Sequence, residues 1–227
     1  MKRACKLLVF GLAAIFALNV QAQESSWSVG ADFVSNYIWR GLKFGSGPAV
    51  QPTVEFGAGG FAIGAWGNYN FTDDEVAGDA AETDLYASYS FDLSETSSLS
   101  LSFTDYFFPG DESEYFEAAS HYFEPGVGLE LGDFSLSAAY MISNQTGDTD
   151  DVDDFYIQAG YTAGPVDLFI GGGDGQYSTS GDFNISNIGI STSKEIKITD
   201  TFSLPVFGSV ILNPNTEQFY LVVGFSL

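Results

Sequence analysis

The stretch Asp32-Phe33-Val34-Ser35-Asn36-Tyr37-Ile38-Trp39-Arg40-Gly41 holds the residues best suited to chemistry. In an extended chain Phe33, Tyr37 and Trp39 share one parity. Asp32, Asn36 and Arg40 share the other, at intervals of about 13 Å by strand rise. The same inward parity falls on Glu55, on Asp84 and Tyr86, and on Glu124 and Glu130 in their own segments. Asp32, Asn36, Arg40, Glu55, Asp84, Tyr86, Glu124 and Glu130 are therefore the expected lining of an enclosed polar interior. A guanidinium among carboxylates forms forked, charge-assisted pairs with them. Such pairs serve either as a selectivity element in a pore or as an internal salt-bridge network that closes it.

Two other clusters invite chemistry. Activation of a serine or a water usually requires a histidine, and His121, beside Ser120, is the only one in the chain. Neighbours on a strand point to opposite faces, so Ser120 and His121 cannot form a dyad. His121 shares the outward parity of Phe123, no lipid-hydrolase motif surrounds it, and no enzymatic role is expected. The loop Gly147-Asp148-Thr149-Asp150-Asp151-Val152-Asp153-Asp154 could gather oxygen ligands from Asp148, Asp150, Asp151 and Asp153 for Ca²⁺. It lacks the spacing and terminal Glu of an EF-hand, and a solvated acidic loop is the simpler reading. Ca²⁺ is the one ion the sequence suggests, and no cofactor is expected.

The elements that must position these residues follow a period of two. Alternation bounded by turn residues predicts about twelve strands, at 27–39, 49–57, 60–70, 82–92, 97–107, 118–131, 133–143, 154–163, 166–173, 183–194, 202–213 and 217–226, with no convincing helix. In 133–143, Phe134, Leu136, Ala138, Tyr140 and Ile142 oppose Ser135, Ser137, Ala139 and Ser143. At the end of the chain Phe219, Leu221, Val223, Phe225 and Leu227 form one unbroken hydrocarbon face. Long connections (40–48, 71–81, 108–117, 144–153, 174–182) alternate with tight ones at Gly57–Gly59, Gly132 and Ala163-Gly164-Pro165. Four of the long connections carry acidic residues: Asp73, Asp74, Glu75 and Asp79 in one, Asp111, Glu112 and Glu114 in the next, Asp148, Asp150, Asp151 and Asp153 in the third, and Asp174 and Asp182 in the fourth. Pro52, Pro125 and Pro205 fall inside predicted strands and imply bulges or kinks, and the alternation slips near Ser186-Asn187. This pattern predicts an all-β fold, a transmembrane antiparallel up-and-down β-barrel of about 12 strands with its greasy face toward lipid.

Charge and targeting agree. Lys2, Arg3 and Lys6, the apolar run Leu7 to Val20, and Val20-Gln21-Ala22 read as a signal peptide over residues 1–22, leaving 23–227 as a single barrel domain. Beyond it only Arg40, Lys43, Lys194 and Lys197 oppose 30 Asp and Glu residues. So acidic a chain repels nucleic acid and favours cations. Acidic chains are often disordered, but this one is 16% aromatic, so its acidity must be segregated from ordered apolar segments. Cys5, the only cysteine, lies in the signal, which leaves no thiol for a disulfide or metal site.

Ser35-Asn36-Tyr37-Ile38-Trp39-Arg40-Gly41, Pro48-Ala49-Val50-Gln51-Pro52, Gly64-Ala65-Trp66 and Glu82-Thr83-Asp84-Leu85-Tyr86-Ala87-Ser88-Tyr89 together resemble the TorF-type porin family, also catalogued as the Gcw_chp family. The motifs cover roughly the first third of the chain. The resemblance implies an outer-membrane barrel with a porin role. It supplies no catalytic residues, and that family's substrate is not established.

The expected function is a porin-like channel in the bacterial outer membrane for passive diffusion of small hydrophilic solutes, leaning toward cations. Its expected partners are those solutes and the surrounding outer-membrane lipid and lipopolysaccharide. The alternative is a closed structural barrel whose acidic extracellular loops bind ions or surface partners.

Overall fold

Apolar residues at every second position favour strands, because only a pleated strand sends them all to one face. The computed structural model describes residues 25–72, 81–109, 115–117, 120–143 and 153–227. Its strands are β1 (Ser25–Val34), β2 (Tyr37–Trp39), β3 (Leu42–Phe44), β4 (Ala49–Ala58), β5 (Phe61–Asn70), β6 (Glu82–Ser94) and β7 (Ser97–Phe107). They continue as β8 (His121–Leu131), β9 (Phe134–Ser143), β10 (Asp154–Ala163), β11 (Val166–Gly173), β12 (Asn184–Lys197), β13 (Ser203–Asn213) and β14 (Gln218–Ser226). Twelve of them, β1 and β4 to β14, pair antiparallel with their neighbours in chain order and close into a barrel. Closure pairs the first strand of the barrel with the last, which removes most of the exposed edge an open sheet would carry. A single 3₁₀ turn, Gly175–Tyr177, lies in the connection between β11 and β12.

Tight turns mark one end, which we term inner. Gly59-Gly60, Gly132-Asp133 and Gly164-Pro165 each open on a glycine with φ above +60°, as two-residue hairpin loops demand. Register then fixes the faces. Ser88 lies opposite Ser102, which lies opposite Gly126, and Ser137 lies opposite Gln158. The outer face carries Trp27, Val29, Leu101, Phe103, Phe134, Leu136, Ile170, Phe219, Leu221 and Val223, all exposed. The fold is thus inverted relative to a water-soluble domain: hydrocarbon covers the outside and buried polar groups lie within.

The first strand departs from expectation. β1 stops at Val34, and the segment expected to extend it to Trp39 bends at Ser35-Asn36 and folds back as a separate hairpin, β2–β3. Trp39 pairs with Leu42 across a two-residue loop in which Arg40 (φ 51°) and Gly41 (φ 82°) are both left-handed. That is the backbone of a type I′ turn, which ends one strand and begins its partner. Parity counted onward from Asp32 therefore does not reach Arg40.

The proline residues also behave differently from the bulges expected of them. Across Pro52 the β4–β5 register resumes unshifted, from Val50↔Tyr69 to Thr53↔Trp66, and across Pro125 from Phe123↔Ile142 to Gly126↔Ala139. Pro205 pairs in register with Glu195 and lies beyond the last β13–β14 pair, Val206↔Phe225. Each ladder loses pairing without inserting a residue. A true shift does occur at Ser186, between Gly171↔Asn187 and Gly172↔Ile185, where the sequence alternation slips.

Because β1 leaves the wall early, the closing seam is short. β1 pairs with β4 along all ten residues but with β14 only at Asp32↔Ser226, Phe33↔Phe225 and Val34↔Gly224. Reciprocal Ala31–Leu227 backbone bonds of 3.0 Å and a Ser35 N–H bond to the Val223 carbonyl of 2.9 Å extend it by one step each way. Leu227 thus has a defined place in closure. Leu227→Asp sets a carboxylate on the apolar outer face at this seam, at a cost of about 1 kcal/mol or more. The yield of heat-modifiable folded protein on dilution from urea into detergent micelles should fall, and an unchanged yield would count against the seam.

Candidate functional site

The hairpin β2–β3 enters the outer end of the barrel, and its tip is held by the wall. Asn213 Nδ2 donates to the Gly41 carbonyl at 3.0 Å and Ser186 Oγ to the Arg40 carbonyl at 3.1 Å, both from almost fully buried side chains. Ser186 is the extra residue of the β12 shift, so that irregularity has a use: it aims a hydroxyl at the hairpin. A Cβ on Gly41 would run into the Ser186 carbonyl, so glycine is required for space as well as for its φ.

Arg40 projects across the interior onto β8. Its Nη1 and Nη2 fork onto Glu124 at 2.6 and 2.8 Å, and Nη1 also donates to the Tyr177 hydroxyl at 2.7 Å. Tyr106 donates to the same carboxylate at 3.1 Å. The guanidinium carbon lies 4.4 Å from the Trp39 ring centre, 4.5 Å from Tyr156 and 5.7 Å from Tyr177, within cation–π range of all three. Burial by itself would pull the guanidinium down, but the Glu124 hydrogen bonds together with the electrostatic attraction of Tyr177, Glu124 and Tyr106 outweigh it and hold Arg40 above its ordinary value. Burial likewise pushes the Tyr177 hydroxyl up, with Arg40 opposing.

Two cavities flank the hairpin. One, of about 390 Å³, is lined by Trp39, Phe44, Glu82, Tyr106, Phe108, Tyr122, Met141, Asp154 and Gln176. The other, of about 230 Å³, lies against β1, β13 and β14 and includes Asp32, Asn36, Tyr37, Ile38, Gln51 and Ser209. Toward the inner end the inward positions are small and accessible, as at Ser98, Ser100, Ser102, Ser137 and Ser193. The interior therefore narrows from a serine-lined inner half to an aromatic and carboxylate outer half.

The eight residues expected inside fall as follows. Arg40 and Glu124 meet directly. Glu55 accepts from the Tyr86 hydroxyl at 2.9 Å, apart from that pair. Asp32 and Asn36 line the smaller cavity. Asp84 is buried with Oδ1 lacking a partner among the described residues, and Glu130 faces inward opposite Ser135. Asp148, Asp150 and Asp151 of the suggested Ca²⁺ loop lie outside the described residues, as do Asp73, Asp74, Glu75, Asp79, Asp111, Glu112 and Glu114. Among the described residues no group of three or more His, Cys, Asp or Glu could hold a metal ion.

Sequence reasoning missed Glu82, Tyr106, Asp154, Tyr156 and Tyr177. Glu82 had a signal, since it shares the parity of Asp84. Tyr177 had none, because its ring enters from the 3₁₀ turn in an outer connection. On the opposite face, His121 Nδ1 lies 2.7 Å from Asp105 and Nε2 2.6 Å from the Tyr115 carbonyl. Each ring nitrogen thus faces an oxygen acceptor. The ring stacks between Phe107 and Phe123 on the outer wall. The signal for this pair was Asp105, an outward carboxylate flanked by Phe103 and Phe107.

A family model described as a bacterial protein of unknown function (Gcw_chp) matches residues 21–193. No curated protein matches the chain. Among solved structures, one variant of Rh. blastica porin is 14% identical with a TM-score of 0.38, and a second is 13% identical with a TM-score of 0.34. Each comparison covers 90% of this chain and 99% of the porin chain.

Breaking the Arg40–Glu124 fork strands a buried carboxylate. Arg40→Ala should lower stability by about 3–5 kcal/mol, and the double variant Arg40→Ala with Glu124→Gln should recover part of it. Urea midpoints of the refolded protein check this, and a single variant as stable as the parent would refute the role of the pair.

Proposed function

Because the chain belongs to the Gcw_chp family of bacterial proteins of unknown function, we propose that it is an outer-membrane channel of the TorF type for small hydrophilic solutes, with a bias toward cations. Residues 1–22 act as the export signal, and the apolar outer wall sits in outer-membrane lipid and lipopolysaccharide. The observation that carries this reading is the inverted barrel: a continuous hydrocarbon exterior around an interior whose inner half is lined mostly by Ser and Gly, with Glu55, Glu130, Phe169 and Phe207 among them. An exposed apolar belt of this extent is stable only against lipid or detergent. Small inward side chains leave space for water and hydrated solutes along the axis.

Selectivity follows from charge. Arg40 is matched by Glu124, while Glu82, Asp84 and Asp154 remain as buried inward carboxylates near the same constriction. A passing cation is favoured by that surplus and an anion is opposed by it. The hairpin narrows the outer end in the way a constriction loop would, with its position fixed by Ser186, Asn213 and Glu124.

A second reading is favoured by the same fork. A bidentate ion pair enclosed by three aromatic rings is stiff enough to act as a plug, and the protein would then be a closed barrel. Planar-bilayer recording separates the two. The channel reading expects small ohmic steps, a reversal potential with K⁺ more permeant than Cl⁻, and a larger conductance for Gly41→Val, whose hairpin tip cannot dock. Absence of current from protein shown to be folded by heat-modifiable migration would sink the channel. Current appearing only in Gly41→Val would establish the plug.

A further inference from the structure

We propose that the cavity of about 390 Å³ beside the hairpin is a binding site for a small organic cation of the quaternary or tertiary ammonium class. This rests on the channel reading for its meaning as a transit site, although binding itself can be measured without current.

The walls argue for it first. Trp39, Phe44, Tyr106, Phe108 and Tyr122 contribute rings from the hairpin and from β7 and β8 with their margins. Trp39 meets Tyr106 edge-on at 5.8 Å and Phe44 at 6.0 Å, so the rings form a connected angular wall. Aromatic faces attract cations through their quadrupoles, most strongly when water is excluded. Trp39 already receives the Arg40 guanidinium at 4.4 Å, a cation held by the same kind of contact within this structure.

The charges argue for it second. Glu82 and Asp154 line the cavity and are 3% and 2% exposed. Asp154 Oδ2 accepts from the Gln176 backbone N–H at 3.2 Å, while Oδ1 has no hydrogen-bond partner among the described residues. Arg40, the neighbouring cation, is committed to Glu124. Buried carboxylates without a counter-charge are costly, and a bound cation supplies the missing charge.

Other ligand classes fit less well. A hard metal ion takes six or more oxygen ligands, whereas most of this lining is aromatic carbon. A sugar is neutral and would leave the buried Glu82 and Asp154 carboxylates without a counter-charge. The volume falls within the range of about 300–1,000 Å³ common for small-molecule sites. A compact onium ion combines charge with an apolar surface, and both halves of the lining are then used.

The test uses the mature protein refolded in detergent micelles, with choline as probe and 3,3-dimethylbutan-1-ol as its uncharged counterpart of the same shape. Calorimetry should register saturable choline binding and at least about tenfold weaker binding of the alcohol, a difference of about 1.4 kcal/mol. Asp154→Asn should weaken choline binding by about tenfold, and Phe108→Leu, which keeps the bulk but removes the ring, should weaken it several-fold. Should Asp154→Asn fail to give the heat-modifiable form, Glu82→Gln reads the same charge. Equal binding of choline and the alcohol, tighter binding of glucose or Ca²⁺ than of choline, or no binding to folded protein would each overturn the site. Choline binding by protein that passes no current would support the site and remove the channel. Current with no choline binding would do the reverse.

Discussion

The outer end of the barrel depends on one buried cation. Arg40 sits in a left-handed backbone conformation that costs a non-glycine residue on the order of 1 kcal/mol, and its guanidinium is largely withdrawn from water. Neither cost is tolerable for an isolated side chain. Glu124 supplies the counter-charge, Tyr106 and Tyr177 hydrogen bonds complete the pair, and the Trp39 and Tyr156 faces replace part of the lost hydration. Each partner comes from a different part of the chain, so the fork joins the first outer connection to β8 and to the turn after β11. The hairpin then has one position, and both flanking cavities take their shape from it.

Drawing the hairpin inward has a consequence for the wall. β1 is spent at Ser35, and the part of β14 that precedes Val223 pairs with β13 alone. Phe219 and Leu221, 64% and 60% exposed, lie on that stretch. The closing seam is thereby the shortest strand pairing in the barrel, three register pairs against eight or more elsewhere. On its outer surface it adjoins an apolar groove of about 700 Å³ lined by Phe33, Phe71, Val206, Val223 and Phe225. The Phe33–Phe225 stack, with ring centres 4.9 Å apart, adds a side-chain contact where backbone pairing is scarce. Interior organisation and seam length are therefore set together by where β1 turns away.

Much of the fold was legible because a closed antiparallel barrel is governed by a local rule. Alternation over about ten residues fixes which face a side chain takes, and turns such as Gly132-Asp133 fix where it reverses. The slip at Ser186 was visible for the same reason. Asn36 to Arg40 misled because the alternation of Tyr37, Ile38 and Trp39 is as strong in a short hairpin as in a long strand. Only the left-handed pair Arg40-Gly41 tells them apart, and nothing in the period records it. Glu124 was recognised as inward, but its choice of Arg40 as partner joins residues 84 positions apart and could not be read locally. Tyr177 and Asp154 were hidden for a related reason: their roles come from how the outer connections fold over the mouth.

In the channel we propose, the division of the interior into a largely serine-lined half and an aromatic half would link the fold to selectivity. Small polar side chains at the inner end hold solutes weakly, because Ser hydroxyls replace water without gain. At the outer end the rings exclude water, so the same carboxylate charge acts over a shorter distance in a less polar setting and is felt more strongly. In the channel we propose, discrimination would belong to the constriction, and the wide half would serve as an approach. A cation that keeps its hydration shell gains little among the aromatic walls and pays for losing water. One whose charge is already wrapped in methyl groups has little shell to lose, so the step from the serine half into the aromatic half is smallest for it. In that proposed channel the ordering of the two halves, more than the number of acidic residues, would set which cations pass.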